Sequence, residues 1–252
     1  EKLYSIIWFL PEMERLFLGS PSLRRNFLDR LIYGVDKNYL TLLNNYKKKI
    51  LERNKILKQI NYDLNWIFQI ENKIADYGIK IYLTRAKHIE ILNREIEKLK
   101  KINKNTNIFE LSIIDNFFLN QNINDDFKSE YLLKLKSTRD YDAMIGGSKI
   151  GPHKSDINAF HFEKKLNLFH CSAGQQKAVI LLIIIAQSKH LMNSLNRQPI
   201  VLLDEVCSHL DHHNREILLE LINDLNVQTF ITGTEKNFFS FLSTKADYYY
   251  IN

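Results

Sequence analysis

Two adjacent carboxylates, Asp204 and Glu205, close the apolar run Ile200-Val201-Leu202-Leu203. A run without polar alternation reads as a strand buried on both faces, and open parallel sheets bind ligands at the C-terminal ends of such strands. At that edge the first carboxylate suits the shell of a divalent metal and the second can orient or deprotonate a water, the division of labour that phosphoryl transfer uses. The pair alone says little, because strands end at surfaces and acidic residues gather there. Upstream, Cys171-Ser172-Ala173-Gly174-Gln175-Gln176 opens a long apolar segment. Ser172 and Gln175 have capping-box spacing and Gly174 admits a close backbone approach, so this helix start is either an anion site or a plain cap. Downstream, Ser208-His209-Leu210-Asp211 leads into Ile217, Leu218, Leu221, Ile222 and Leu225, an amphipathic helix that Asp211 is placed to cap.

A second group of residues is basic. Residues 37 to 60 hold Lys37, Lys47, Lys48, Lys49, Arg53, Lys55 and Lys58 against the single acid Glu52. Such a stripe is either a solvated helix flank or a surface for a phosphate backbone, bound electrostatically and with salt dependence. Arg24 and Arg25, near a helix start, suit phosphate contact or ion pairs along the helix. His153 and Lys154, in the Gly151-Pro152 turn, face either a ligand or solvent.

The elements that must position these groups fall into two textures. Tyr4 to Leu10 reads as a strand, and Ser20-Pro21-Ser22 opens a helix with Ser20 as cap and Gly34 as its end. From Tyr39 to Ile74 a heptad-like stripe predicts one long helix, broken only by Arg53 and Glu71. Gly78 is expected to end it, and Tyr82, Ile89, Leu92, Ile96 and Leu99 form the returning helix of a hairpin, stopped in the Asn103 to Asn107 stretch. Beyond Tyr141 come glycine turns, a hairpin from Ile157 to Phe169, a helix from Ala173 to about Leu195, the strand Pro199 to Glu205, a helix from His212 to about Leu225, and the strand Val227 to Thr232. That alternation predicts a parallel α/β core. The expected division is residues 1–19 as the edge of that core, 20–140 as a helical lobe, and 141–252 as the remainder of the core.

With 45% hydrophobic and 25% charged residues the 252-residue chain can fold around a sizeable core. The net charge of +6 is mild, and 25 Lys, 25 Asn and 31 Ile against 8 Gly is what an AT-rich genome produces without any selection for DNA binding. Only two cysteines, Cys171 and Cys207, occur, which excludes a disulfide framework or cysteine zinc site and points to a reducing cytoplasm. The longest purely apolar run, Ala178 to Ala186, is less than half the ~20 residues that cross a bilayer, so no membrane span is expected.

Order and spacing join the motifs. A Ser-x-Gly-Gln helix start, an apolar strand ending Asp-Glu, and Ser-x-Leu-Asp shortly after resemble the signature, Walker B and D-loop of ABC-type ATPases. Within that class, Ser22-Leu-Arg-Arg-Asn-Phe-Leu-Asp29 and Gly151-Pro-His-Lys-Ser-Asp156 resemble the RecF family of bacterial recombination mediators, over the whole chain. The resemblance implies an α/β fold, an ABC-type (P-loop NTPase-like) ATPase lobe with an inserted α-helical lobe. It implies ATP and Mg²⁺ as cofactors, Asp204 at the metal, Glu205 as the catalytic base, and Ser172, Gly174, Gln175, Ser208 and Asp211 at the nucleotide of an opposing subunit. It implies slow DNA-stimulated hydrolysis, an ATP-dependent homodimer, DNA at a duplex/single-strand junction and a RecR-type mediator as partners, with Lys47, Lys48, Lys49, Arg53 and Lys55 as DNA contacts. Arg24, Arg25, His153 and Lys154 rank below these.

Three departures stand out. Cys171 replaces the usual Leu before the signature. Thr232-Gly233-Thr234 stands where transporter relatives carry a switch His. No G-x-x-x-x-G-K-[ST] phosphate loop occurs: Gly146 and Gly151 have the separation, but Pro152 and His153 follow. The resemblance places that loop upstream of Glu1, and both cofactors require it. Rivals are an SMC-type ATPase, whose arms far exceed the 39–102 segment, a helical scaffold with a degenerate ATPase lobe, and, last, a transporter nucleotide-binding domain.

Overall fold

A computed structural model describes residues 5–104, 109–118, 125–208, 210–235, 239 and 246–250. In chain order the elements are β1 (Ser5–Phe9), α1 (Pro21–Val35), α2 (Asn38–Leu57), α3 (Leu64–Ile102), β2 (Phe109–Ile114), α4 (Asp125–Ser137), α5 (Arg139–Ile145), β3 (Asp156–His161), β4 (Leu166–Asn167), α6 (Ala173–Leu195), β5 (Pro199–Leu203), α7 (His212–Leu225) and β6 (Thr229–Ile231). Short 3₁₀ turns lie at Pro11–Arg15 and Leu168–His170. The chain divides into two compact units: Glu1–Arg15 with Glu95–Ile108 and Phe169–Asn252, and Leu16–Arg94 with Phe109–Leu168. Residue 141, where the sequence texture changes, lies inside α5.

The first unit is built on a parallel sheet of order β1-β5-β6, with Ser5 opposite Pro199, Phe9 opposite Leu203, and Leu203 opposite Ile231. Parallel neighbours cannot be joined by a tight turn, so α7 makes the crossover from β5 to β6. α6 packs against β1 and β5. Its run from Ala178 to Ala186 is apolar around the whole circumference, and the helix passes as a membrane span by composition, with mean hydropathy 1.5, yet 67% of that window is buried: it is the core helix of this unit. The expectation that β5 is buried on both faces needs correction. Side chains alternate, so Val201 and Leu203 face the core while Leu202 is exposed, beside the exposed Ile6 and Phe230. Their shared face of the sheet is open among the described residues.

The second unit joins α1, α2, the first part of α3, α4 and α5 to an antiparallel sheet of order β2-β3-β4. β2 pairs with β3 from Phe109 opposite His161 to Ile114 opposite Asp156. The expected helix break at Gly78 does not occur. The chain reverses instead at residues 58–63, where Asp63 Oδ1 accepts the N–H of Asn65 at 2.7 Å and of Trp66 at 3.3 Å, starting α3. Gly78 sits inside α3 because a Cβ there would lie 3.0 Å from the Tyr131 ring, so the glycine makes room for a packed aromatic. Gly34 likewise lies within α1, which ends at Val35, and Ser20 makes no side-chain cap: Pro21 at the first turn already removes one orphan N–H.

Candidate functional site: the carboxylate edge of the parallel sheet

Asp204 follows β5 directly and continues the sheet by one bond, its N–H donating to the Phe9 carbonyl at 3.0 Å. Glu205 then turns away at φ 50°, a left-handed conformation uncommon for a residue with a Cβ. Thr232, just past β6, ties the two together. Its Oγ1 accepts the Glu205 N–H at 3.0 Å and donates to Asp204 Oδ1 at 2.5 Å. Both carboxylates are partly exposed. The pair therefore stands at the C-terminal edge of a parallel strand, fixed by main-chain and hydroxyl contacts that leave the Glu205 carboxylate without a hydrogen bond or ion pair among those described. Sequence reasoning leaves Thr232 without a role; the signal for it is position, a hydroxyl at the end of the neighbouring strand.

Ser172 caps α6 in a full capping box: Gln175 N–H donates to Ser172 Oγ at 3.4 Å and Ser172 N–H to Gln175 Oε1 at 3.2 Å. Ser172 is exposed, and Gly174 and Gln175 are half-buried, so the N-terminal end of a 23-residue helix, with its partial positive charge, faces outward. Asp211 caps α7, accepting Asn214 N–H at 2.7 Å. Ser208 Oγ donates to the Glu205 carbonyl at 2.7 Å. His209 lies outside the described residues. A residue the sequence reading missed joins these loops: Lys177 is fully buried, with Nζ 2.6 Å from Glu14 Oε1, 3.0 Å from the Glu205 carbonyl and 2.6 Å from the Ser208 carbonyl. Its signal is a lone charge directly before the nine-residue apolar run of a core helix.

In the second unit the basic candidates separate. Lys47, Lys48 and Lys55 are exposed on α2, and Lys49 is half-buried against Glu52 at 2.8 Å. Arg53 is a correction: it is 0% exposed, with Nε on Glu71 at 3.0 Å, Nη1 on Asp142 at 2.7 Å and Nη2 on the Leu135 carbonyl at 2.7 Å. Its donors are consumed inside the unit, and it cannot present itself to a phosphate. The heptad breaks Arg53 and Glu71 are thus partners.

Arg24 is also committed: a bidentate pair with Asp156 at 2.7 and 2.8 Å, and a 2.7 Å bond to the Gly19 carbonyl. Arg25 donates to the Ser155 carbonyl at 2.6 Å, and burial, then nearby Arg85, lowers its pKa. His153 sits between Tyr46 Oη at 2.7 Å and the Ser148 carbonyl at 3.0 Å, and burial pushes its pKa down to about 4. It is a neutral imidazole at pH 7, with Nε2–H toward the carbonyl and Nδ1 accepting from the tyrosine. Gly151, at φ 126°, carries this turn where a Cβ would collide with the Tyr46 and Tyr131 hydroxyls. Lys154 is exposed.

A parallel sheet with an Asp-Glu pair at its edge, fed by a capped core helix and followed by a capped crossover helix, defines an ATPase lobe of the ABC type. The family described as "AAA domain, putative AbiEii toxin, Type IV TA system" matches residues 9–232. Curated relatives named DNA replication and repair protein RecF are 32% identical in Rhizobium johnstonii, 34% in Rickettsia prowazekii and 35% in Rickettsia conorii, each over 97% of this chain. The chain belongs to this AAA-domain family and to the RecF family. It spans 65% of the Rhizobium relative and 68% of each Rickettsia relative. Two solved structures, described as the recombination mediator protein RecF-ATPrS and RecF-ATP in the RecFOR pathway, share the fold: TM-score 0.77, 24% identity, 93% of this chain and 63% of theirs.

Proposed function

We propose that this chain forms part of an ATP-dependent DNA-binding switch acting in recombinational repair and replication restart at single-strand gaps, with ATP sandwiched between two copies. The observation that supports this most is the Asp204-Glu205 edge, where one carboxylate is anchored by Thr232 and the next is held ready in a left-handed turn.

Mg²⁺ keeps its waters and takes one or two carboxylates plus substrate phosphates. Asp204, at the end of β5 with Oδ1 held by Thr232, would hold it, and the ion would supply charge neutralisation on the phosphates. Glu205 would orient the attacking water and accept its proton. Ser172, Gly174 and Gln175 would meet the γ-phosphate of the opposite subunit through the outward-facing start of α6, with Ser208 and Asp211 shaping the adjoining loop. Lys47, Lys48 and Lys55, with Lys154 in second rank, supply exposed positive charge for a DNA backbone. A RecR-type mediator, a homodimer and a cytoplasmic location complete the proposal. The hairpin helices α2 and α3, of 20 and 39 residues, are far shorter than the arms of SMC-type ATPases and favour the mediator reading.

Ser172→Arg tests it in the complete gene product. A bulky cation at the opposing γ-phosphate position should leave ATP binding by the monomer intact and abolish the ATP-dependent dimer on a sizing column. An unchanged dimer would reduce Ser172 to a helix cap.

A further inference from the structure

Lys177 takes no part in the reading above, yet it is the most heavily engaged cation near the carboxylate edge. Burying an ammonium is costly unless its charge is met and its donors are filled. Glu14 meets the charge at 2.6 Å, and the Glu205 carbonyl, the Ser208 carbonyl and Ser208 Oγ, at 3.0, 2.6 and 3.2 Å, fill the rest. The choice of acceptors carries the information. Two of them are main-chain carbonyls on the turn that begins with Glu205, the residue held at φ 50°. A residue with a Cβ keeps that conformation only where its surroundings over-determine it. Here they do so on both sides of one residue: Thr232 Oγ1 receives the N–H, while Lys177 and Ser208 Oγ share the carbonyl. At the other end of the linkage, Ser172 caps the same helix little more than one turn before Lys177, a distance over which a helix is stiff.

We infer that Lys177 is a positioning residue that locks the Ser172 helix start and the Glu205 turn into one block, coupling the two nucleotide sites of the dimer. The inference rests on the proposed function. There, each protomer gives Ser172 to its partner's nucleotide and Glu205 to its own. With Lys177 in place these contributions cannot shift independently: the Ser172 contact at one nucleotide and the general base at the other move together, so loosening Lys177 in one protomer loosens the Ser172 it gives to its partner's site. The link runs through one side chain and no flexible loop.

The test compares wild type, Lys177→Met, Lys177→Arg and Glu205→Gln in the complete gene product. Lys177→Met should keep KM for ATP within about threefold and lower kcat by about tenfold or more, and Lys177→Arg, which retains charge and donors, should recover part of the loss. Mixed dimers supply the readout that a merely structural role would not move. Wild type paired with Lys177→Met/Glu205→Gln has one competent base, and it should turn over several-fold more slowly than wild type paired with Glu205→Gln alone. If Lys177→Met does not fold, Lys177→Gln, which keeps a polar group in the buried site but removes the ammonium and its reach to the Glu205 and Ser208 carbonyls, should give the same kcat loss at retained KM. Wild-type kcat in a folded Lys177→Met or Lys177→Gln protein, or equal rates in the two mixed dimers, overturns the coupling. Glu205→Gln separates the levels: if it is inactive while Lys177→Met is normal, only the coupling fails, and if it hydrolyses normally, the catalytic reading fails and takes the coupling with it.

Discussion

Arg53 and Lys177 are both fully buried cations in helices, and they do opposite things with their charge. Arg53 faces two carboxylates, Glu71 and Asp142, with Arg139 completing the cluster at 2.5 Å from Glu71. It ties α2 to α3 and α5, and the charges close on themselves. Lys177 meets one carboxylate and otherwise grips the backbone of a loop whose carboxylate, Glu205, remains available. Burial of charge alone does not mark a functional site. What sets Lys177 apart is that, beyond Glu14, the partners of its buried charge are main-chain and hydroxyl groups on a left-handed turn beside Glu205, the carboxylate proposed to act in hydrolysis.

The sharpest way to separate the two regions is to remove a carboxylate from one and the guanidinium from the other. Glu205→Gln in the complete protein should lower single-turnover hydrolysis by about 10² to 10⁴ while ATP stays bound, because a positioned base is lost and the peptide contacts that hold the turn are not. Its urea midpoint should stay near wild type, and normal hydrolysis would remove Glu205 from catalysis. Arg53→Met should do the reverse. Glu71 and Asp142 would be left buried without their shared partner, costing about 3–5 kcal/mol in urea unfolding. An unchanged midpoint would mean that solvent or Arg139 replaces the lost charge.

Two smaller effects probe the same helical unit. His153 is held at a pKa of about 4, below its unfolded value near 6.5, so the native state binds fewer protons than the unfolded chain between those values. The stability this gives is present above the unfolded pKa and is lost as pH falls through the folded one. The urea midpoint should drop between pH 6.5 and about 4, and His153→Gln should flatten that drop. Neutralising Lys47, Lys48 and Lys55, which lie on the same helix as Arg53 but face outward, should leave the midpoint alone. It should reduce the salt slope of DNA binding by about 0.9 log units per lost phosphate contact. A slope that does not move would return these lysines to a solvated flank.

The parallel core was legible because its signals are local. Capping at Ser172 and Asp211 and the apolar content of β5 placed α6, α7 and the carboxylates within a residue or two. The helical unit was less so. A heptad stripe reports which face of a helix is buried but not where the chain turns, and it ran unbroken through residues 58–63, where Ile60 is 99% exposed. β2 went unread although Phe109, Leu111 and Ile113 alternate with Glu110, Ser112 and Ile114, because six residues beside a long helical pattern carry little weight. Lys177 and Thr232 could not be found by spacing, since their roles depend on loops brought together from distant parts of the chain. Arg53 was misplaced for a related reason: composition counts a base, and only packing shows whether it faces water.

The pairing of β1 with β5 has a consequence for synthesis. Ser5 meets Pro199 about 190 residues later, so at roughly 5–20 residues per second the first strand emerges from the ribosome roughly 10–40 s before its partner. Throughout that interval Ile7 and Phe9, both destined for the core, wait for the α6 and β5 that pack on β1. The helical unit, whose residues all emerge before α6, can fold in the meantime. The nascent chain therefore carries a finished unit while β1 still lacks β5, and β1 is where a holdase chaperone would be expected to bind.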